Sequence, residues 1–136
     1  MTYYRVPQQF TEVFSAMELS PYLVLAVIIL FYVILGMFLE PVSMTFITLP
    51  TLFPLVAASG FDLIWFGVIY TITMELAVLT PPVGLNLYVI QALARKEISI
   101  IDVIIGCLPF IGALIVLLGL MVMIPDIALW LPSIMD

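Results

Sequence analysis

Apolar residues run along most of this chain in long stretches that carry no charged side chain. Four of these stretches cover residues 19–39, 41–61, 76–94 and 103–125. Each is at least as long as the roughly 18 apolar residues that mark a candidate membrane span. Lipid leaves backbone polar groups without partners, so non-barrel spanning segments must be helical. The pattern therefore predicts an all-α integral membrane protein.

Composition supports this interpretation and excludes several classes of function. The chain has 136 residues, of which 65% are hydrophobic and 9% are charged, whereas soluble domains have about 25% charged residues. Its net charge is -6, with only three cationic residues, so we expect no nucleic-acid partner. One cysteine and no histidine leave a disulfide framework, a zinc site and histidine-based catalysis without support. We expect neither an enzyme nor a cofactor.

The apolar pattern divides the chain into segments of a single membrane domain. Residues 63–94 would extend about 48 Å as one straight helix, which exceeds the roughly 30 Å hydrocarbon core, so we expect a break. Residues 22–58 form either a re-entrant hairpin or two full crossings. Hydropathy alone does not choose between them, but the glycine, acid and proline within residues 36–43 suit a turn and favour the hairpin. The predicted segments are an interfacial amphipathic segment (1–21), a helical hairpin (22–58, tip 36–43), a broken transmembrane helix (63–94, break 80–84), a last transmembrane helix (103–124) and a tail (125–136).

Charged residues suggest an orientation. Arg95 and Lys96 lie between the last two spans, and cytoplasmic loops are enriched in such residues. This loop is therefore expected inside the cell, with the C-terminus on the outer side of the membrane. The start of the chain does not resemble a signal peptide, because residues 1–20 are polar to amphipathic.

The two interruptions carry the best functional signal. Residues 80–84 read Thr-Pro-Pro-Val-Gly, and residues 36–43 contain a glycine, a glutamate and a proline. Proline removes a backbone donor, so carbonyl oxygens near these breaks lose their helical partners at membrane depth. Freed carbonyls and the Thr80 hydroxyl can together bind a sodium ion. Alternatively, both interruptions are simple proline kinks.

Several polar and aromatic residues have two interpretations each. Glu40 and Glu75 are acids within or beside spans, and either supports a break or contacts a solute. Asn86 suits a carboxylate substrate or the capping of freed carbonyls. Three glycines in the last span, Gly106, Gly112 and Gly119, indicate a close helix contact more than a site. The aromatic residues at 65, 70, 88 and 130 partly fit membrane-interface anchors.

Taken in order, the motifs at these breaks resemble the C-terminal part of the large permease subunit of tripartite ATP-independent periplasmic (TRAP) transporters. The resemblance covers nearly the whole chain. The matching fragments are VPQQF, LGMFLEP, ITLPTLFPL, FGVIY, LTPPVGLNLYV and PDIALWLP.

The resemblance implies an elevator-type secondary transporter, with this chain holding its second inverted repeat. It implies sodium-coupled import of organic acids such as C4-dicarboxylates, keto acids or sialic acids into the cell across the bacterial inner membrane. The implied partners are the N-terminal remainder of the permease, a small membrane subunit and a periplasmic binding protein.

The resemblance also assigns residues. Sodium-binding backbone oxygens carry over to Gly36, Ala77, Thr80 and Val83, although the family usually has glycine where this chain has Ala77. Substrate contacts carry over by position to Ser43, Thr45 and Asn86. The residues that shape the breaks are Glu40, Pro41, Pro81, Pro82 and Gly84.

Length separates this chain from the family. Family members are about three times as long, so we expect a fragment or a truncated reading frame that is inactive alone. The alternative hypothesis is a non-transporting accessory or assembly protein whose breaks only kink helices.

Overall fold

A computed structural model describes residues 20–94 and 98–135, together with Glu12 and Ala16. Most of the predicted interfacial segment 1–21, and the basic loop at 95–97, lie outside the described residues. The described part contains no strand, which confirms the all-helical prediction. Its helices are α1 (Pro21–Gly36), α2 (Pro41–Ala58), α3 (Leu63–Leu79), α4 (Leu85–Leu93), α5 (Ile100–Met123) and α6 (Asp126–Met135).

Short polar segments set the ends of α1 and α2. The Ser20 side chain accepts a hydrogen bond from Leu23 N, and Pro21 occupies the first turn of α1, where a missing N–H costs nothing. Glu40 and Pro41 start α2 in the same way. Only residues 37–40 separate the two helices, and we call these residues the tip. Helix α2 continues through two internal prolines, at 50 and 54.

Helix α3 lies at the centre of the described fold and packs against every other helix. Asp62 caps its N-terminus through hydrogen bonds to the backbone N–H groups of Ile64 and Trp65. The core lies between α1, α2 and α3. Across the described residues, the largest fully buried side chains are Tyr32, Met44, Val56, Phe66, Ile69, Thr73 and, on α4, Leu87.

The C-terminal part differs from the sequence prediction at both ends of the last span. Helix α5 starts at Ile100 because Ser99 and Asp102 form a capping box. Residues 126–135, predicted as a tail, form helix α6. A proline just before a helix is a starting signal as much as a stop, and Pro125 O accepts hydrogen bonds from Ala128 N and Leu129 N.

Two described helices, α2 and α5, are long and apolar enough to cross a membrane. At about 1.5 Å per residue, the 24 residues of α5 extend about 36 Å, which is enough for the hydrocarbon core. The glycines at 106, 112 and 119 have no described atom within 4 Å of a Cβ built on them. The predicted close helix contact is therefore not made by the residues that the structure describes.

Two of the predicted interface anchors are core residues. Trp65 is 2% exposed and Tyr70 is 8% exposed. The Trp65 indole N–H donates to Met121 O over 2.7 Å, which connects the start of α3 to the end of α5. This interpretation of Trp65 and Tyr70 was therefore wrong, because composition does not reveal which aromatic side chain has a polar partner inside the fold. Tyr88 and Trp130 are exposed.

Candidate functional site

The interruption between α3 and α4 rearranges the hydrogen bonds at the end of α3. In a regular helix, Ala77 O would accept from the N–H of residue 81, but Pro81 has none. Instead Thr80 N donates to Ala77 O over 3.2 Å. The Thr80 hydroxyl then donates to Leu76 O over 2.6 Å. One threonine thus satisfies two carbonyls that the proline disturbs.

Other carbonyls at the break keep their lone pairs free. Pro82 has no N–H for Val78 O, and residues 20–94 and 98–135 contain no donor bonded to the carbonyl oxygens of Val78, Thr80 or Val83. The family resemblance implied the backbone oxygens of Thr80 and Val83, whereas that of Val78 was missed. The missed signal was the second proline, which lies four residues after Val78.

Gly84 permits the turn that leads into α4. Its φ of +32° lies in a region that favours glycine. A Cβ built on Gly84 would lie 2.9 Å from Thr80 O, so a side chain here would crowd the free carbonyl. Pro81 and Pro82 are joined by a cis peptide bond.

The end of α1 meets the end of α3 at this break. A Cβ built on Gly36 would lie only 2.6 Å from the Ala77 Cβ, and both residues are buried. Gly36 O also accepts no hydrogen bond from another residue of the described ranges. The structure therefore brings Gly36 and Ala77, which are 41 positions apart in the sequence, into direct contact.

This contact has an electrostatic consequence. Gly36 ends α1, and α3 ends at Leu79, so the C-termini of two helices converge here. Each C-terminus carries about half a negative elementary charge from its aligned peptide dipoles. Between residues 20 and 135, apart from the gap at 95–97, no group of three acidic, cysteine or histidine side chains could hold a metal ion. A cation here would depend on backbone oxygens and on the helix ends.

The predicted substrate contacts differ in their surroundings. Ser43 is exposed on α2. Thr45 is half-buried, and its hydroxyl already donates to Pro41 O over 2.6 Å. Asn86 is half-buried in the first turn of α4, where its amide bonds to no other described residue. The capping role considered for Asn86 is therefore not seen among the described residues.

The two acids have different surroundings. Glu40 accepts hydrogen bonds of 2.8 Å from Val42 N and Ser43 N, so it caps α2. Glu75 lies on α3 two residues from Ala77, which is about 200° around the helix. It lines a cleft of about 480 Å³ whose other walls are mainly apolar side chains of α4 and α5, including Cys107 and Phe110. The structure therefore does not bring Glu75 to the Gly36–Ala77 contact.

Comparison with known proteins identifies the chain's family. The family model for "Tripartite ATP-independent periplasmic transporter, DctM component" matches residues 1–127. The C4-dicarboxylate TRAP transporter large permease protein DctM of Vibrio cholerae is 34% identical over 99% of this chain and 29% of that protein. The sialic acid TRAP transporter permease protein SiaT of Haemophilus influenzae is 34% identical over 96% of this chain and 21% of that protein.

A third relative has a different named substrate. The 2,3-diketo-L-gulonate TRAP transporter large permease protein YiaN of Escherichia coli is 32% identical over 93% of this chain and 29% of that protein. The chain therefore spans less than a third of the length of these relatives. All three are named as transporter permeases and not as enzymes. The chain belongs to the DctM component family of tripartite ATP-independent periplasmic transporters.

Proposed function

We propose that this chain supplies one wall of a sodium and carboxylate site in a TRAP large permease. The observation that carries the proposal is the convergence of two helix C-termini at Gly36 and Ala77, beside carbonyl oxygens without hydrogen-bond donors. Sodium prefers oxygen ligands, and broken helices in transporters provide them. Gly36, Ala77, Thr80 and Val83 are the proposed ligands, and Val78 adds a fifth candidate oxygen.

The start of α4 suits the opposite charge. Helix α4 begins after Gly84 without a side-chain cap, so its first N–H groups and its positive dipole end are available to an anion. Asn86 adds amide donors next to them. A carboxylate at this end of α4 would lie across the break from the cation. Ser43 and Thr45, on the other side of the tip, are the remaining proposed substrate contacts.

The proposed activity is sodium-coupled import of organic acids across the bacterial inner membrane by an elevator-type movement. C4-dicarboxylates, keto acids and sialic acids are the proposed substrate classes, in keeping with the names of the relatives. The hairpin would enter from the periplasmic side, where the C-terminus would also lie. The proposed partners are the remainder of the permease, a small membrane subunit and a periplasmic binding protein. The family match does not favour a non-transporting accessory protein.

Thr80→Ala tests the ion site. The experiment uses the large permease containing this chain, with the small subunit and the binding protein supplied, reconstituted into liposomes with a sodium gradient. Removing the hydroxyl leaves Leu76 O without the donor that replaces its helical partner, so the break loses its geometry. We expect the sodium concentration for half-maximal uptake to rise about tenfold, which corresponds to about 1.4 kcal/mol.

Two control variants make the result specific. Thr80→Ser keeps the hydroxyl and should retain the sodium affinity of the unmodified transporter. Thr71→Ala removes a similar hydroxyl on α3, one that donates to Gly67 O over 2.8 Å, and it should leave sodium affinity unchanged. If Thr80→Ala has the same sodium half-saturation as the unmodified transporter, the ion site is not at this break.

A further inference from the structure

Four hydroxyl groups link α1, α2 and α3 at a level that precedes the break along α3. Tyr32 OH on α1 bonds to the Thr48 hydroxyl on α2. Tyr70 OH on α3 bonds to the Thr45 hydroxyl, also on α2, over 2.7 Å. The two tyrosine rings meet edge to face, with centroids 4.9 Å apart. We call Tyr32, Thr45, Thr48 and Tyr70 the hydroxyl quartet; it joins three helices.

The direction of each bond follows from the threonines. The Thr45 hydroxyl donates to Pro41 O over 2.6 Å, and the Thr48 hydroxyl donates to Met44 O over 2.7 Å. A threonine has one hydroxyl proton, so each tyrosine must be the donor in its bond to threonine. The tyrosines therefore anchor α1 and α3 to α2, and outside the quartet α2 has no polar side-chain link to α3 among the described residues.

The quartet lies close to the proposed ion site. Tyr32 precedes Gly36 by one helical turn, and Tyr70 precedes Ala77 by two turns on the same face of α3, a rise of about 10 Å. The Met44 side chain of α2 also reaches the Gly36–Ala77 contact, since its Cε lies 3.3 Å from a Cβ built on Gly36. Thr45, through Pro41 O, fixes the first turn of α2 next to the tip. The quartet and the Gly36–Ala77 contact thus lie on the same interface.

We propose that the hydroxyl quartet consists of positioning residues that set the sodium affinity of the break. The proposal rests on the proposed function of the preceding subsection. An ion site requires its oxygens to be held within about 0.5 Å of the binding geometry, and Gly36 O belongs to a different helix from the oxygens of the break. The quartet holds α1 and α2 against α3, which keeps Gly36 O at a fixed distance from Thr80 O and Val83 O. It also gives Thr45 a positioning role in addition to the proposed substrate contact.

Tyr32→Phe and Tyr70→Phe test the proposal in the same reconstituted transporter. Each variant removes one hydroxyl and keeps the ring. We expect each to raise the sodium half-saturation about fivefold, the factor that corresponds to one ordinary hydrogen bond. The maximal uptake rate per folded molecule should stay near that of the unmodified protein, because neither tyrosine is a proposed substrate contact.

Thr73→Val is the matched control. Thr73 is buried on α3 between Tyr70 and Ala77, and its hydroxyl donates to Ile69 O over 2.8 Å, but it takes no part in the quartet. We expect its sodium half-saturation to be unchanged. Thr45→Val should raise the sodium half-saturation as much as Tyr70→Phe does, whereas Thr45→Ser should keep normal sodium affinity. Since Thr45 is only half-buried, this pair decides the question if a tyrosine variant does not fold.

Three outcomes would overturn the proposal. In the first, the quartet variants lose thermal stability while the folded fraction keeps normal sodium affinity, as expected for a purely structural role. In the second, Thr45→Val raises the substrate KM at saturating sodium and leaves sodium affinity unchanged, as expected for a substrate contact. In the third, Thr73→Val weakens sodium binding as much as the quartet variants do. Failure of the proposed function looks different, because uptake by the unmodified transporter would then not depend on sodium.

Discussion

Exchanging the side chains at Gly36 and Ala77 tests the contact between the end of α1 and the end of α3. In Gly36→Ala, the new Cβ would lie 2.6 Å from the Ala77 Cβ. Carbon atoms in contact are normally about 3.5–4.0 Å apart, so the two helices must separate by about 1 Å. Overpacking of this kind costs about 1–3 kcal/mol. We expect Gly36→Ala to destabilise the permease by about that amount and to weaken sodium binding.

Ala77→Gly should relieve the effect of Gly36→Ala. With the Ala77 Cβ removed, the nearest remaining atoms to the new Cβ are Met44 Cε at 3.3 Å and Ala77 Cα at 4.0 Å. A methionine side chain adapts readily, so the double variant can restore the original helix spacing. Ala77→Gly alone should cost up to about 1 kcal/mol, since glycine lowers helix stability. The two substitutions should therefore be coupled, and the double variant should be more stable than the sum predicts by about 1–3 kcal/mol.

The assay is a double-mutant cycle on the large permease that contains this chain. Equilibrium unfolding in mixed detergent micelles gives the free energy of unfolding for the four proteins, and uptake in liposomes gives their sodium half-saturation. If the effects add within about 0.5 kcal/mol, the two residues are not in contact. If stability is coupled but sodium affinity is the same in all four proteins, the contact is structural and lies outside the ion site.

Two further predictions concern single positions. Gly84→Ala should reduce sodium-dependent uptake by a larger factor than it reduces the folded fraction, because it strains a positive φ and places a Cβ 2.9 Å from Thr80 O. An unchanged sodium half-saturation would contradict this. Trp65→Phe should lower the free energy of unfolding by about 1–3 kcal/mol, because Met121 O loses its 2.7 Å donor. Trp130→Phe is its control, since Trp130 is 64% exposed, and equal losses in the two variants would contradict the reasoning.

The sequence predicted local features more fully than contacts between distant residues. Proline and glycine act on their own backbone and on the preceding turn, so the sequence alone indicates that carbonyls between α3 and α4 lose their helical partners. The contact between Gly36 and Ala77 depends on how two helices pack, and no local pattern encodes it. The resemblance to a family placed both residues at one site, which the pattern of apolar residues alone does not do.

Polar side chains inside the fold were the hardest to predict. Tyr70 fits an interface residue by composition, because tyrosine is common at membrane surfaces. Its burial follows from the Thr45 hydroxyl, 25 positions away, which gives its OH a partner. Helix α6 was missed for a different reason, since a proline after an apolar span can end that helix or start the next one.

The Trp65 hydrogen bond provides a comparison for the free carbonyls at the other end of α3. Pro125 has no N–H for Met121 O, just as Pro82 has none for Val78 O. At the first place, a side chain from another helix supplies the missing donor; at the second, no described residue does. The same kind of proline defect is thus satisfied at the end of α5, where the start of α3 supplies the donor, and left unsatisfied at the end of α3. An unsatisfied carbonyl next to two negative helix ends suits a cation, and helix α3 connects it to the Trp65 hydrogen bond at the opposite end of the helix.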